Sequence, residues 1–140
     1  MSQDVVSTTP EESIEQVARQ MAERDVGSLP VLDGGRLIGM VTDRDIVVRG
    51  LAQGLYADAK VQDVMTADVE SVFESDDVED VHDRMSAAQI RRLPVVTEDG
   101  ELVGIVALAD LARLDTDEES GATLEEISEP STGEHRSFAP

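Results

Sequence analysis

The sequence predicts an α+β fold built from two copies of one β-α-β-β-α unit that pack on each other. The stretch from Gly27 to Asp45 recurs from Arg91 to Asp110, and Leu-Pro-Val stands at the same place in both copies. A repeat of this length is a whole supersecondary unit rather than a solenoid repeat. With 140 residues in the chain, neither half alone buries enough apolar surface for comfortable stability, so we expect the halves to share a core.

The first copy begins with a strand and an amphipathic helix. Val5 to Thr8 is a β-branched run that predicts a strand, and Pro10 ends it. Ser13 begins the helix, because Gln16 three residues later completes a capping box. The helix is expected to bury a stripe at positions i, i+3, i+4 and i+7, which are Ile14, Val17, Ala18 and Met21.

A hairpin and a second helix complete the first copy. The hairpin joins Leu29–Leu32 to Leu37–Val41 through Asp33-Gly34-Gly35, residues that accept left-handed turn geometry. Thr42 opens the second helix and Gly54 ends it. The apolar positions of this helix are Ile46, Val47, Gly50 and Leu51.

The second copy repeats this order after a connector. Gly54 to Lys60 is the connector, and Val61 to Met65 forms a short helical turn. The predicted elements of the second copy are the strand Val69–Phe73, a helix with the stripe Val78, Val81 and Met85, the hairpin strands Leu93–Thr97 and Leu102–Val106, and the helix Leu108–Leu114.

The chain is thus predicted to have four parts, which are a first domain at 1–54, a connector with a short helix at 55–66, a second domain at 67–114 and a tail at 115–140. Eight of the 26 tail residues are Asp or Glu, and few are large and apolar. Burial of so few apolar groups does not offset the entropy of ordering the chain. The tail is therefore predicted to be disordered and acidic.

The charge of the chain is strongly negative. Asp and Glu number 31 against 11 Lys and Arg, which gives a net charge of −20, and Lys60 is the only lysine. Such a surface repels phosphate backbones and anionic lipids, so nucleic acid and membrane are not expected as partners. The acid excess is typical of halophilic proteins, because at about 1 M salt the Debye length is only about 3 Å. The alternative is an ordinary acidic protein.

Several classes of site are excluded by the sequence. The chain has no cysteine, so disulfides and thiolate metal sites are absent. No signal peptide and no apolar run of about 18 residues is found, which predicts a soluble, cytoplasmic protein. No catalytic constellation or metal-ligand spacing is recognised, so neither catalytic residues nor metal ligands are assigned. His82, beside an apolar stripe, is interpreted as a buried or interfacial histidine.

Two motifs carry a resemblance to a known family. The Leu-Pro-Val strand is followed by Gly39-Met-Val-Thr-Asp-Arg-Asp45, a Gly-x-x-[Ser/Thr]-x-x-Asp pattern. Over about residues 4–114 the chain resembles the CBS domain in its tandem form, the Bateman module. The run Val41–Leu55 looks like the small stand-alone tandem proteins of the mycobacterial hypoxic response type. Most copies in the family have a lead-in helical turn like Val61–Thr66, and the lead-in of the first copy is short or absent.

The resemblance implies a regulatory module whose halves pack through their sheets about a pseudo-two-fold axis. It implies two clefts that take AMP, ADP, ATP or S-adenosylmethionine as regulatory ligands, with no cofactor required for activity. It also implies a disc-shaped homodimer that acts on an unidentified regulated protein.

The turn from Gly39 to Asp45 has two interpretations. A strand that turns into a helix at Thr42 presents backbone N–H groups to a phosphate, and Arg44 adds a positive charge. By resemblance, Asp45 accepts hydrogen bonds from the ribose hydroxyls. Alternatively, Thr42 and Asp45 form a capping box that involves no ligand.

The resemblance implies which residues line each cleft. In the first cleft, a polyphosphate would meet a local positive charge from two adjacent arginines. Its residues are Gly39, Met40, Thr42, Arg44, Asp45, Thr66, Val69, Ile90, Arg91 and Arg92. The alternative for the arginine pair is two ordinary surface salt bridges.

The second cleft is predicted to be weaker. Its residues are Val5, Val26, Gly27, Ser28, Ile105 and Asp110. Ala107 replaces the expected Ser or Thr, and Ala109 stands where the first copy has Arg44. We expect this cleft to be empty or to take an uncharged nucleoside-like group, and Asp110 is also explained as a helix-start acid.

The predicted function is a non-enzymatic regulatory module that senses an adenine nucleotide between its two domains. The alternative is a ligand-independent protein–protein interaction module, because the capping box explains Thr42 and Asp45 without a ligand.

Overall fold

The computed structural model describes residues 5–115 together with 123 and 124. The chain divides into two compact units, one formed by Val6–Val69 and the other by residues 70–115 with Val5, Thr123 and Leu124. Each unit has its own hydrophobic core. The α+β class is confirmed, whereas the predicted boundaries at 54, 66 and 114 stay predictions.

The first unit contains helices and a two-stranded antiparallel sheet. Its core is formed by Ile14, Val17, Met21, Leu29, Val31, Val41, Val61 and Val64. Its elements are α1 (Ile14–Arg24), β1 (Ser28–Asp33), β2 (Arg36–Thr42), α2 (Asp43–Asp45), a π-helical turn (Ile46–Gly50) and two 3-10 turns (Leu51–Gln53 and Val61–Asp63).

Helix α1 begins where the sequence predicts. The side chain of Ser13 accepts a hydrogen bond from the backbone N–H of Gln16 at 3.1 Å. Of the predicted stripe, Ile14, Val17 and Met21 are buried. Ala18 is exposed, which corrects the prediction. Position 18 lies about 100° around the helix from Val17, at the flank of a narrow buried face.

The hairpin of the first unit also forms as predicted. Gly34 and Gly35 have φ values of 62° and 88°, the left-handed geometry that a two-residue turn between twisted strands requires. Leu29 lies opposite Val41, and the register shifts between Val31 and Leu32.

The two predicted outer strands are shorter than expected. Val5–Thr8 contributes only a single parallel bridge from Thr8 to Val31. Pro10 follows two residues later and has no N–H with which to continue the pairing. In the second unit, the predicted strand Val69–Phe73 is reduced to its last two residues, which pair in parallel with Val95 and Val96.

The helix predicted from Thr42 to Gly54 is not one regular helix. It passes from α2 into the π-helical turn and then into a 3-10 turn, and Gly54 ends it at a φ of 83°. A π-turn adds one residue to the helical repeat and rotates the following side chains by about 100°. Leu51 follows this turn and is 63% exposed, and Val47 within the turn is 54% exposed, although both were predicted to be on the apolar face.

The second unit repeats the order of the first. Its elements are β3 (Val72–Phe73), α3 (Val78–Ala88), β4 (Arg92–Val96), β5 (Leu102–Ala107) and α4 (Leu108–Asp115), with strand order β3-β4-β5. The stripe of α3 is buried as predicted. Its hairpin reproduces the register of the first, because Leu93 lies opposite Val106 and the register shifts between Val95 and Val96.

Part of the predicted tail is ordered on the second unit. Leu124 is fully buried in the core of this unit, and its N–H donates to the carbonyl of Asp76 at 3.2 Å. Thr123 forms a bridge to Asp77. For these two residues the predicted disorder is wrong, because one buried leucine anchors the chain locally. Residues 116–122 and 125–140 lie outside the described residues.

Candidate functional site

The junction of β2 and α2 holds the predicted capping box. Thr42 is the last residue of β2, and its hydroxyl accepts a hydrogen bond from the N–H of Asp45 at 3.0 Å. In return, Oδ2 of Asp45 accepts from the N–H of Thr42 at 3.0 Å. The cap is therefore formed without a ligand, which was one of the two interpretations left open by the sequence.

Asp45 is buried, with 9% of its surface exposed. A buried carboxylate needs hydrogen bonds or an opposite charge. Oδ2 is bonded in the cap, and Oδ1 lies 3.8 Å from Nε of Arg49. Sequence reasoning missed Arg49, although the spacing of four residues from Asp45 is the spacing of ion pairs along one helical face.

A second segment lies against β2 next to this junction. Met40 and Thr66 exchange two backbone hydrogen bonds, of 2.9 and 2.8 Å. A Cβ on Gly39 would lie 2.6 Å from the carbonyl oxygen of Thr66, so only glycine fits this close approach. Of the residues predicted for the first cleft, Gly39, Met40, Thr42, Asp45 and Thr66 are brought together in the first unit.

Arg44 and Val69 belong to the same unit but are less involved. The side chain of Arg44 is exposed and forms no ion pair with any residue of the described chain. Val69 is half-buried. Arg44 is thus an exposed arginine next to Asp45 in sequence, and its side chain forms no ion pair within residues 5–115.

The remaining residues of the first cleft lie in the second unit. Ile90 packs on the core there, and Arg92 begins β4 opposite Ala107. The carbonyl of Arg91 accepts from the N–H of Leu108 at 2.8 Å, and its side chain is exposed. Within the described part of the chain Arg91 forms no salt bridge, and the alternative interpretation of the arginine pair stays open. Their approach to the first-unit residues stays a prediction.

The first-unit residues of the predicted second cleft surround the same junction. The carbonyl of Gly27 accepts from the N–H of Asp43 at 2.9 Å, the counterpart of the bond between Arg91 and Leu108. Ser28 lies opposite Thr42. Val26 is partly buried on the first core.

The other residues of the second cleft lie in the second unit. Ile105 is buried in β5, Asp110 is half-buried in the first turn of α4, and Val5 is half-buried. Ala107 stands where the first copy has Thr42 and offers no hydroxyl to cap α4. The low affinity and occupancy of this cleft stay predictions.

The described residues offer neither a metal site nor a membrane-spanning helix. Among them no group of three or more His, Cys, Asp or Glu side chains is arranged to hold a metal ion. None of their helices is long and apolar enough to cross a membrane.

The sequence matches the profile of the CBS domain at residues 1–51 and again at 61–117. The chain belongs to the CBS domain family. The resemblance to the tandem form is therefore confirmed. The protein is 40% identical over 129 residues to the CBS domain-containing protein YhcV of Bacillus subtilis, with 91% of each chain covered.

The similarity to stand-alone CBS pairs extends to solved structures. Hypoxic response protein 1 of Mycobacterium tuberculosis is 38% identical over 117 residues, which are 81% of this chain and 80% of that protein. The crystal structure of Hypoxic Response Protein I, with two coordinated zinc ions, matches with a TM-score of 0.67 and covers 79% of this chain and 90% of that one.

Two other solved CBS pairs hold adenosine compounds. CBSX2 in complex with AMP matches with a TM-score of 0.68 and 29% identity, covering 84% of this chain and 91% of that one. The CBS domain pair of protein MJ0100, in complex with 5'-methylthioadenosine and S-adenosylmethionine, matches with a TM-score of 0.66 and 29% identity. It covers 85% of this chain and 94% of that one.

Proposed function

We propose that this protein is a regulatory module that binds an adenine nucleotide or S-adenosylmethionine in a cleft between its two CBS domains. One observation carries the proposal. Two CBS pairs that match more than four-fifths of this chain hold AMP in one case and S-adenosylmethionine with 5'-methylthioadenosine in the other.

The chemistry of the first-unit residues supports this proposal. An adenosine ligand offers ribose hydroxyls as donors, and Asp45 supplies a carboxylate whose Oδ1 takes no part in the cap. A phosphate needs positive charge, which Arg44 and Arg91 supply from exposed side chains. In a chain with a net charge of −20, exposed guanidinium groups that form no ion pair among the described residues are the expected attraction for an anionic ligand.

The bound compound is proposed to act as a signal rather than as a substrate or an obligatory cofactor. Its occupancy changes the state of a regulated protein only if the ligand binds the two states with different affinity. The protein is proposed to be cytoplasmic, and its acidic surface argues against nucleic acid or membrane as partners.

Calorimetric titration of the full chain with AMP, ADP, ATP, S-adenosylmethionine and adenosine tests the proposal. We expect saturable binding of at least one adenosine compound at a stoichiometry of about one per chain, with GMP as the base-specificity control. Absence of saturable binding for all five, by a protein shown to be folded, would overturn the proposal.

A second candidate function is a ligand-independent interaction module. Two observations favour it, namely the capping box that closes without a ligand and a cluster of exposed apolar side chains, Val47, Val48 and Leu51, here named the apolar patch. A purified partner that binds equally with and without nucleotide, and that still binds Asp45→Ala, would favour this function over the first.

We also propose that the protein is a homodimer. The apolar patch supports this, because its three side chains are 43% to 63% exposed on a strongly charged protein. A second copy presents the same patch, so two copies related by a two-fold axis bury both patches against each other.

A further inference from the structure

Arg49 contacts two segments of the first unit that are distant in sequence. Its Nε lies 3.8 Å from Oδ1 of Asp45, one turn earlier. Its Nη1 donates a hydrogen bond to the carbonyl of Met65, sixteen residues later, at 3.1 Å. The guanidinium of Arg49 therefore joins the candidate ribose acceptor to the segment that precedes the second copy.

The segment contacted by Arg49 is itself fixed against β2. Thr66, next to Met65, exchanges two backbone hydrogen bonds with Met40. Along β2, two residues lead from Met40 to Thr42, which is bonded twice to Asp45. The contacts thus form a closed ring from Asp45 through Arg49 and Thr66 to β2 and back to Asp45.

The backbone turn that carries Arg49 packs on the core of the first unit. Arg49 lies in the π-helical turn, and the next residue, Gly50, is buried. A Cβ on Gly50 would lie 3.4 Å from Cδ1 of Ile14 and 3.6 Å from Cγ1 of Val64. Both distances are ordinary van der Waals contacts, so the turn that carries Arg49 packs directly on these two core residues.

We propose that Arg49 is a positioning residue for the nucleotide site: it holds the carboxylate of Asp45 and the backbone at Thr66 in one fixed arrangement. The inference rests on the proposed function, in which Asp45 and Thr66 contact the ligand. Arginine suits this role better than lysine, because its separate N–H donors reach a carboxylate and a carbonyl at once.

The first test needs no ligand. Amide hydrogen exchange at Met40 and Thr66 reports whether the two segments stay paired. In Arg49→Gln we expect exchange at both amides to accelerate about three- to tenfold, because the guanidinium that contacts both Asp45 and the Met65 carbonyl is lost. The matched control is Arg19→Gln, which removes another exposed ion pair of the same spacing, Arg19 with Glu15, and should leave both rates unchanged.

The second test measures affinity for the adenosine compound that binds best to the unaltered protein. Arg49→Gln should weaken its binding about three- to tenfold, Arg49→Lys should give an intermediate value, and Arg19→Gln should bind normally. Thermal unfolding of each variant separates this effect from general loss of stability.

The outcomes distinguish this inference from the proposed function. If the unaltered protein binds no adenosine compound, the proposed function fails, and the positioning role for a ligand fails with it. If the unaltered protein binds but Arg49→Gln has normal exchange rates, the ring is not held by Arg49 and the inference alone is overturned. Faster exchange with normal affinity equally overturns the positioning role.

Discussion

Thr42 and Asp45 each accept a hydrogen bond from the backbone N–H of the other, both at 3.0 Å. The pair thus satisfies two N–H groups at the start of α2 while it leaves Oδ1 of Asp45 outside the cap. The same two residues can therefore serve the fold and the proposed ligand, and substitutions can separate these roles.

Loss of the Thr42 hydroxyl should destabilise the first unit. Thr42→Ala is expected to lower the free energy of unfolding by about 1 kcal/mol, because the N–H of Asp45 loses its acceptor. Thr42→Ser retains an acceptor at that position and is the matched control. Denaturant unfolding measures both variants. Equal stability of Thr42→Ala and the unaltered protein would contradict the energetic role of the cap.

Gly39 is buried in β2, and its replacement should disrupt the pairing of β2 with the Thr66 segment. In Gly39→Ala the new Cβ meets the carbonyl oxygen of Thr66 at 2.6 Å, so β2 and the Thr66 segment must separate. We expect a loss of about 1–3 kcal/mol in the free energy of unfolding. Gly34→Ala is the control, because Gly34 has a left-handed φ but open space around it. It should lower the free energy of unfolding by about 1–2 kcal/mol.

The Gly39 substitution also has a structural readout. Amide exchange at Met40 and Thr66 should accelerate in Gly39→Ala and remain normal in Gly34→Ala, since only the first separates the paired segments. Normal exchange in Gly39→Ala would show that the close approach at Thr66 does not constrain β2.

Phosphate recognition should depend on the exposed arginines. If Arg91 contacts a phosphate, Arg91→Gln should weaken ATP binding about tenfold and adenosine binding little, because only ATP carries the phosphates. Arg36→Gln removes an exposed arginine of the hairpin and is the control. Calorimetric titration compares the two ligands on each variant, and equal losses for ATP and adenosine would rule out a phosphate contact.

Assembly should depend on the apolar patch. Val47→Asp introduces a desolvated charge into the proposed dimer interface and should shift sedimentation toward the monomer. Ala18→Asp puts the same charge on an exposed position of α1 and should leave the dimer intact. A monomeric unaltered protein, or a Val47→Asp variant that dimerises normally, would contradict the proposal.

Stability should rise with salt if the protein is halophilic. With a net charge of −20, screening of self-repulsion is expected to raise the thermal midpoint steadily between about 0.1 M and about 2 M KCl. Replacing several exposed Glu residues with Gln should flatten this dependence. Full stability below about 0.5 M salt, with no further gain above it, would favour the ordinary acidic protein.

Local sequence patterns predicted much of each unit. The stripe of α3, the cap at Ser13 and the glycine turn at Gly34 are all found as expected, because each depends on residues within one or two turns of the chain. The repeat was equally predictable, since the same residues produce the same strand register in both hairpins. For the candidate site, the sequence identified the cap residues and glycine 39 with its neighbours.

The sequence by itself determined the family, the two like units and the residues at the β2–α2 junction. Only the tertiary structure decided which residues meet across the chain. Arg49 bonds to Met65 sixteen residues away, and Leu124 enters a core whose other members lie between Val72 and Leu111. Val47, in the π-helical turn, is exposed. Such contacts depend on packing between segments that are distant in sequence. The periodic pattern of neighbouring residues does not predict them.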